Sequence, residues 1–146
     1  MPDNHDPAAL RAERRELFER LGDPDRLATF FDRVADDVTW TVEGTHPIAG
    51  TYHSRADFTA RTFGRLAPLM RDAVRLELVH LYVDGDTVVA ELRAGSTTLD
   101  GAPYDNLLCW VCRFEGAGIG DRIVEVRAYL DSAMVAWVID RNERRP

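Results

Sequence analysis

Lysine is absent from this sequence of 146 residues, and all 18 basic side chains are arginines. Without lysine the chain cannot form a Schiff base with a carbonyl substrate or anchor pyridoxal phosphate. It also cannot contain a P-loop, because the lysine of that motif reaches the phosphates of the bound nucleotide. These classes of enzyme are excluded, and we predict that the protein uses no cofactor.

Long apolar runs are also missing, since no stretch approaches the roughly 20 residues that a membrane-spanning helix needs. The first six residues are polar and acidic and show no signal peptide, so we expect a cytoplasmic location. The formal net charge of -7 disfavours nucleic acids and anionic membrane surfaces as partners. The expected partner is therefore a small molecule or another protein.

Only two cysteines are present, and they form the C-x-x-C spacing Cys109 and Cys112. They lie in a run with the composition of a strand, whereas redox motifs of this spacing open a helix. An odd separation along a strand sends the two sulfurs to opposite faces, where they cannot bridge. Zinc would need two further ligands, and the four histidines show no ligand spacing. We therefore predict buried structural thiols and no metal site.

Hydrophobic periodicity divides the chain into a helical first part and a strand-rich second part. Asp-Gly pairs at 84–85 and 100–101 separate long strands, and this dipeptide favours hairpins, so consecutive strands should pair antiparallel. The predicted helices cover about 7–21, 24–34 and 55–66, the last of them capped by Ser54, and a short helix follows Asp131. The predicted strands cover 38–43, 74–83, 87–99, 104–115 and 123–131. We therefore predict one α+β domain over 1–146, with loose ends at 1–6 and 141–146.

Both faces of the predicted sheet carry apolar side chains. In the strand 74–83, for example, Leu76 and Leu78 should point to one face, and Leu81 and Val83 to the other. We expect a strongly curved sheet wrapped around the N-terminal helices, with one face lining an interior pocket. The second apolar face needs its own cover, and an identical sheet from another copy of the chain is the simplest one. We therefore predict a homodimer through the outer sheet face.

Asp131 is the leading candidate for a catalytic group. It ends the alternating strand 123–131 and precedes an apolar segment, so we expect its carboxylate to be partly desolvated. Desolvation raises the pKa of an aspartate and makes it a usable proton carrier near neutral pH. The alternative is that Asp131 only caps the helix that follows, as aspartate commonly does.

Two segments, WTVEGTHPIAGTY over 40–52 and RAYLD over 127–131, complete a pattern that resembles the SnoaL-like branch of the nuclear transport factor 2-like superfamily. The resemblance implies a cone-shaped α+β barrel with an interior pocket, and it maps Asp131 onto the pocket carboxylate of polyketide cyclases of this type. The positions of the further catalytic residues of limonene epoxide hydrolases hold Leu92 and Ala94. The position of the ketosteroid isomerase base holds Gly44. The resemblance therefore favours the cyclase layout, with His46 on the loop of the first segment.

The sequence thus predicts an acid–base enzyme that needs no cofactor. Asp131 would move a proton on an apolar, carbonyl-bearing metabolite, and His46, Tyr129 or Asn106 would hydrogen-bond the developing oxyanion. The product could be cyclised, isomerised or dehydrated. The predicted substrate-binding residues are Trp40, Tyr104, Asn106, Trp110 and Tyr129. Three alternatives stay open: the aromatic residues only fill the core, His46 only bonds a backbone carbonyl, or the protein is a non-catalytic dimeric module that binds a ligand or a protein.

Overall fold

Five helices lie in the part of the chain that the computed structural model describes, residues 6–143. They are α1 (Pro7–Glu19), α2 (Leu27–Phe31), α3 (Arg55–Arg61), α4 (Phe63–Leu66) and α5 (Ser132–Glu143), with 3₁₀ turns at Arg20–Gly22 and Ala67–Leu69. Helix α1 begins after Asp6, whose carboxylate accepts a hydrogen bond from the Ala8 N–H at 3.0 Å. Ser54 caps α3 in the same way, as predicted. None of the described helices has the length and apolar composition that crossing a membrane requires.

Two predicted helix ends are wrong. The second helix stops at Phe31, because the strand that follows already begins at Val34. The last helix reaches Glu143, so 141–143 are helical and not a loose end. This last turn is anchored: the buried Asn142 accepts a hydrogen bond from the Asp100 N–H at 3.0 Å, and Arg141 forms an ion pair with the Asp100 carboxylate. The other predicted loose residues, 1–5 and 144–146, lie outside the described residues.

Seven strands form one mostly antiparallel sheet within residues 6–143, which confirms the predicted α+β class. They are β1 (Val34–Val42), β2 (Gly50–Tyr52), β3 (Arg75–Asp84), β4 (Thr87–Thr97), β5 (Pro103–Tyr104), β6 (Leu107–Phe114) and β7 (Ile123–Leu130). The order is β2-β1-β7-β6-β4-β3, with β5 paired to the end of β4. The predicted antiparallel pairing of the long consecutive strands is confirmed. Among the described strands, only β1 and β7 pair in parallel. The first and last strands along the chain are therefore neighbours in the sheet.

The sheet does not close into a barrel, which corrects the barrel expected from the sequence. Strands β2 and β3 are its two edges, and they pair with β1 and β4 only. The interior is instead closed by helices. Leu17 and Phe18 of α1, Phe30 of α2 and Phe58 of α3 are all buried against the inner face of the sheet. Burial of apolar side chains on this one face holds the two layers together.

A bulge in β3 changes which of its side chains face the core. Leu78 pairs with Leu92, but His80 pairs with Glu91, so Val79 is the extra residue. The inserted residue reverses the alternation beyond it. Leu81 and Val83 therefore pack against the same core as Leu78, and the prediction that they lie on the opposite face is wrong.

The prediction of buried structural cysteines holds for Cys112 but is wrong for Cys109. Both thiols are free; Cys109 is partly exposed, and Cys112 is buried in the core. Because they lie three residues apart on β6, they occupy opposite faces of the sheet. Burial raises the pKa of the Cys112 thiol far above its ordinary value of 9.0.

This shift predicts a loss of stability in mild alkali. Folded Cys112 keeps its proton, whereas the same thiol in the unfolded chain releases it as the pH rises through 9.0. Deprotonation therefore lowers the free energy of the unfolded state relative to the folded state. We expect the free energy of unfolding, measured with urea, to fall by about 1 kcal/mol from this group between about pH 8 and pH 10. The Cys112→Val variant should lose that part of the decline. An identical pH dependence in both proteins would contradict the assignment.

Candidate active site

An apolar cavity lies between the inner face of the sheet and helices α3 and α4. Its walls include the rings of Trp40, Phe58, Phe63, Tyr104 and Trp110. The empty space is about 50 Å³, enough for a small group but far less than the roughly 300–1,000 Å³ of common ligand sites. A larger ligand would therefore have to displace wall side chains. Phe63, with Leu66 and Val74, also lines an apolar groove on the outer surface, so the cavity wall is one side chain thick there.

The polar groups of the cavity wall are few, and within the described residues none of them is an Asp, Glu, His or Arg side chain. The Thr62 hydroxyl donates to the Phe58 carbonyl at 2.6 Å. Burial raises the pKa of the Tyr104 phenol, and the hydrogen bond with the Asn106 side chain only partly opposes this shift. Tyr104 is therefore a neutral hydroxyl at neutral pH and can donate a hydrogen bond into the cavity. The Nε1 of Trp40 is fully buried and has no hydrogen-bond partner among residues 6–143.

Asn106 links this wall to the start of α5. Its side chain is buried, its Oδ1 accepts from the Asp131 N–H at 3.0 Å, and its Nδ2 donates to the Asp131 carbonyl at 3.3 Å. Both halves of the amide are thus paired with the backbone of one residue. Asn106 itself lies behind Tyr104 and is not part of the cavity wall. It can position Tyr104, whereas direct contact with a ligand in the cavity as it stands would need a rearrangement.

Asp131 lies at the surface. Its carboxylate is exposed and accepts a hydrogen bond from the Met134 N–H at 3.2 Å, at the first turn of α5. The expectation that this carboxylate is desolvated is therefore wrong, and the helix cap that the sequence left as the alternative is present. The strand prediction failed at its last residue because β7 ends at Leu130, which is the last residue of the strand in the cavity wall.

His46 is buried in the loop between β1 and β2, outside the cavity wall. Its Nε2 lies 3.0 Å from the Glu43 carbonyl and must donate there, which is the structural role that the sequence left open. Its Nδ1 is buried with no partner in the described chain. The loop is packed against α5: at Gly44, φ is +122°, and an added Cβ would lie 1.9 Å from the Ser132 Oγ. Only glycine fits there.

The predicted aromatic residues divide between the two faces of the sheet. Trp40, Tyr104 and Trp110 lie in the cavity wall, as expected. Tyr129 pairs with Cys109 and is 45% exposed on the outer face, so its predicted place in the pocket is wrong. The helices also contribute side chains to the cavity wall, which the sequence pattern did not predict. Phe58, Thr62 and Phe63 follow one another at helical spacing, a signal that also fits ordinary core packing.

No cluster of three or more His, Cys, Asp or Glu side chains that could hold a metal ion is found in residues 6–143. The donors of the cavity wall are hydroxyl and indole groups, which are poor metal ligands compared with imidazole, thiolate and carboxylate. What the arrangement can do is enclose an apolar molecule and donate hydrogen bonds to its oxygen atoms.

The chain is similar in sequence to one protein family and to curated proteins from fungi. The family model described as SnoaL-like domain matches residues 5–126. The chain is 30% identical over 132 residues to dimerizing cyclase phiC of a fungal species, covering 88% of this chain and 56% of that protein. It is 29% identical over 120 residues to dimerizing cyclase tstC of Talaromyces stipitatus, covering 80% and 52%. The chain thus spans about half the length of the curated relatives it matches.

Solved structures share the fold. An NTF2-like protein from Burkholderia thailandensis superimposes with a TM-score of 0.69 at 26% identity, covering 91% of this chain and 96% of that one. Bal32a from a soil-derived mobile gene cassette superimposes with a TM-score of 0.69 at 21% identity, covering 94% and 98%.

Substitution of Asp131 can separate its capping role from any chemical one. We expect Asp131→Ala to lower the free energy of unfolding by about 1 kcal/mol, because the first turn of α5 loses its cap. Asp131→Ser should cost only a few tenths of a kcal/mol, because serine caps nearly as well. Urea denaturation of the two variants measures the difference. Equal losses in both would show that the hydrogen bond to the Met134 N–H does not stabilise the helix.

Proposed function

We propose that this chain, which belongs to the SnoaL-like domain family, is a cofactor-independent enzyme that promotes proton transfer on an apolar, carbonyl-bearing small molecule. The observation that carries the proposal is an apolar cavity with Tyr104, a neutral phenol, among its wall residues. The names of the curated relatives support a reaction of the cyclase or isomerase type. Cyclisation, isomerisation and dehydration of a carbonyl compound can each begin with the loss of a proton beside the carbonyl group.

Tyr104 is assigned as the hydrogen-bond donor to the substrate oxygen that becomes negatively charged. A hydrogen bond to a developing oxyanion is worth more in an apolar, water-poor site than in water, provided that the donor is held in place. The contact between Tyr104 and the Asn106 side chain, which is fixed in turn by the Asp131 backbone, supplies that placement. The donor therefore needs little reorganisation when the charge develops.

The proton acceptor is assigned to Asp131, which directly follows the wall residue Leu130. An exposed carboxylate retains its hydration, so its contribution should lie at the low end of the 10²–10⁴-fold range of general acid–base catalysis. Such a gain suits a substrate that is already acidic. His46 enters the proposal as a positioning residue, because its Nε2 holds the Glu43 carbonyl and its loop packs against Ser132 at the start of α5.

A non-catalytic ligand-binding module is the second candidate. It is favoured by one observation, that no carboxylate or imidazole of residues 6–143 lies in the cavity wall. Such a module would bind the same apolar carbonyl compounds without exchanging their protons. The cytoplasmic location expected from the sequence remains a prediction for either function.

Proton exchange on 2-indanone, an apolar ketone with acidic α-hydrogens, distinguishes the two candidates. We expect the protein to accelerate exchange of these hydrogens with D₂O, followed by proton NMR, and the acceleration to fall about tenfold or more in Tyr104→Phe. Asp131→Ser should slow the exchange by about 10²-fold, because the base is lost, while keeping its helix cap. Tyr82→Phe, on the exposed face of β3, is the matched control and should exchange at the wild-type rate.

One result would contradict the enzyme proposal, and another would contradict only the role of Tyr104 in it. If 2-indanone binds but its hydrogens exchange no faster than in buffer, the protein is a binding module. If the ketone exchanges rapidly and Tyr104→Phe has no effect, the activity exists but Tyr104 does not stabilise the oxyanion.

We further propose that the outer face of the sheet joins two copies of the chain. Leu107, Tyr82 and Tyr129 are 59%, 55% and 45% exposed there, an unusual number of large apolar side chains for a solvated face. Glu125 and Arg127 form an ion pair on the same face, so it carries both signs of charge and can complement itself. A second copy related by a two-fold axis would cover these groups.

Leu107→Asp should break this dimer, because each interface would bury an unpaired carboxylate near its apolar centre. We expect the sedimentation coefficient of the variant to fall to that of a monomer at concentrations at which the wild type is dimeric. Ile119→Asp is the matched control, because Ile119 is exposed in the β6–β7 loop and not on the sheet face. A wild-type protein that sediments as a monomer would overturn the proposed dimer.

A further inference from the structure

The indole N–H of Trp40 is a hydrogen-bond donor without an acceptor. The side chain is completely buried, and its Nε1 finds no partner within residues 6–143. Most buried donors in proteins are paired, and leaving one unpaired has a free-energy cost comparable with that of a lost hydrogen bond. Trp40 also lies in the wall of the apolar cavity. The unpaired Trp40 N–H therefore destabilises the fold, and it is a candidate hydrogen-bond donor to a ligand in the cavity.

Three aromatic rings pack against this indole, and none of them carries an oxygen acceptor. Phe58 stacks on it with ring centroids 3.8 Å apart, and Phe31 stacks at 6.2 Å. Trp110 meets it edge to face at 5.0 Å. The strands on either side pair with the backbone of β1 and leave the side chain to the interior, since Trp40 lies opposite Tyr52 and Val126. An acceptor for Nε1 must therefore come from a molecule inside the cavity.

We propose that the Trp40 N–H is a specificity-determining donor that selects ligands with a neutral oxygen acceptor, such as a ketone or an ester. The cavity wall described above has no cationic side chain, so an ionised carboxylate would lose its hydration without gaining a counter-charge. A hydrocarbon would fill the space but would leave the N–H unpaired. The inference rests on the proposed function only in taking the cavity as the ligand site, and it does not require catalysis.

Acetophenone and ethylbenzene are suitable probes, because they have almost the same shape and differ by one carbonyl oxygen. We expect Trp40→Phe to weaken acetophenone binding three- to tenfold more than ethylbenzene binding, as measured by NMR titration. Trp110→Phe, in the same wall, is the matched control and should change the affinities of both probes by the same factor. Benzoate, which is similar in size and charged, should bind much more weakly than acetophenone.

A second measurement follows the wild-type protein and uses the Trp40→Phe variant only to assign one signal. The chain has three tryptophans, whose indole N–H signals are separate resonances in a nitrogen-15 spectrum. The signal that is lost in Trp40→Phe should shift downfield with acetophenone and much less with ethylbenzene. The signal of Trp137, which is exposed on α5, should not respond to either probe.

Each outcome bears on a different claim. If acetophenone binds and the Trp40 signal and the affinity ratio stay unchanged, the N–H is already satisfied by the face of Trp110, and the inference is overturned while the cavity remains a ligand site. If benzoate binds as tightly as acetophenone, the selection for neutral ligands is overturned. If no probe binds, the cavity is not a ligand site, and both this inference and the proposed function fall.

Discussion

The stacking of Phe58 on Trp40 is the contact on which the rest of the structure depends. The two ring centroids are 3.8 Å apart and their planes differ by 15°, so helix α3 is held flat against the inner face of β1. Aromatic pairs of this kind contribute about 0.5–1.5 kcal/mol beyond the area that they bury. Tyr52, Phe63 and Trp110 join the same cluster through edge contacts. These rigid rings fix the distance between the helices and the sheet, and the cavity is the space that they leave unfilled.

The fold could be predicted from the sequence because its signals are local. Alternation of apolar residues, Asp-Gly turns and the Ser54 cap each depend on a few neighbouring residues, and all of them are found in the structure. The errors arose where a single residue changes the phase of a pattern. The bulge at Val79 returns Leu81 and Val83 to the core, and no residue type marks such an insertion reliably.

The site was harder to predict because its residues are defined by tertiary packing. Strand alternation correctly put Trp40, Tyr104 and Trp110 on the inner face. It could not show that β7 ends one residue before Asp131, and this single step moves a carboxylate from the interior to a helix cap at the surface. The composition of the cavity follows from this difference: hydroxyl and indole donors remain in the wall, and the carboxylate, imidazole and guanidinium groups of the described residues lie outside it. A site of this kind polarises an oxygen more readily than it removes a proton.

Helix α5 connects the surface to the cavity through the segment that carries Tyr104. At its start, the Asp131 backbone holds both halves of the Asn106 amide, two residues beyond the phenol. Near its end, Asn142 accepts from the Asp100 N–H, and Arg141 pairs with the Asp100 carboxylate, just before β5. Tyr104 is thus fixed from both sides by one helix. A substitution that weakens the cap of α5 would therefore also shift the Tyr104 hydroxyl. It would do so even if the Asp131 carboxylate never touches a ligand. Loss of activity in a variant that also frays α5 consequently says little about the base, whereas loss of activity in one that keeps the cap isolates the carboxylate itself.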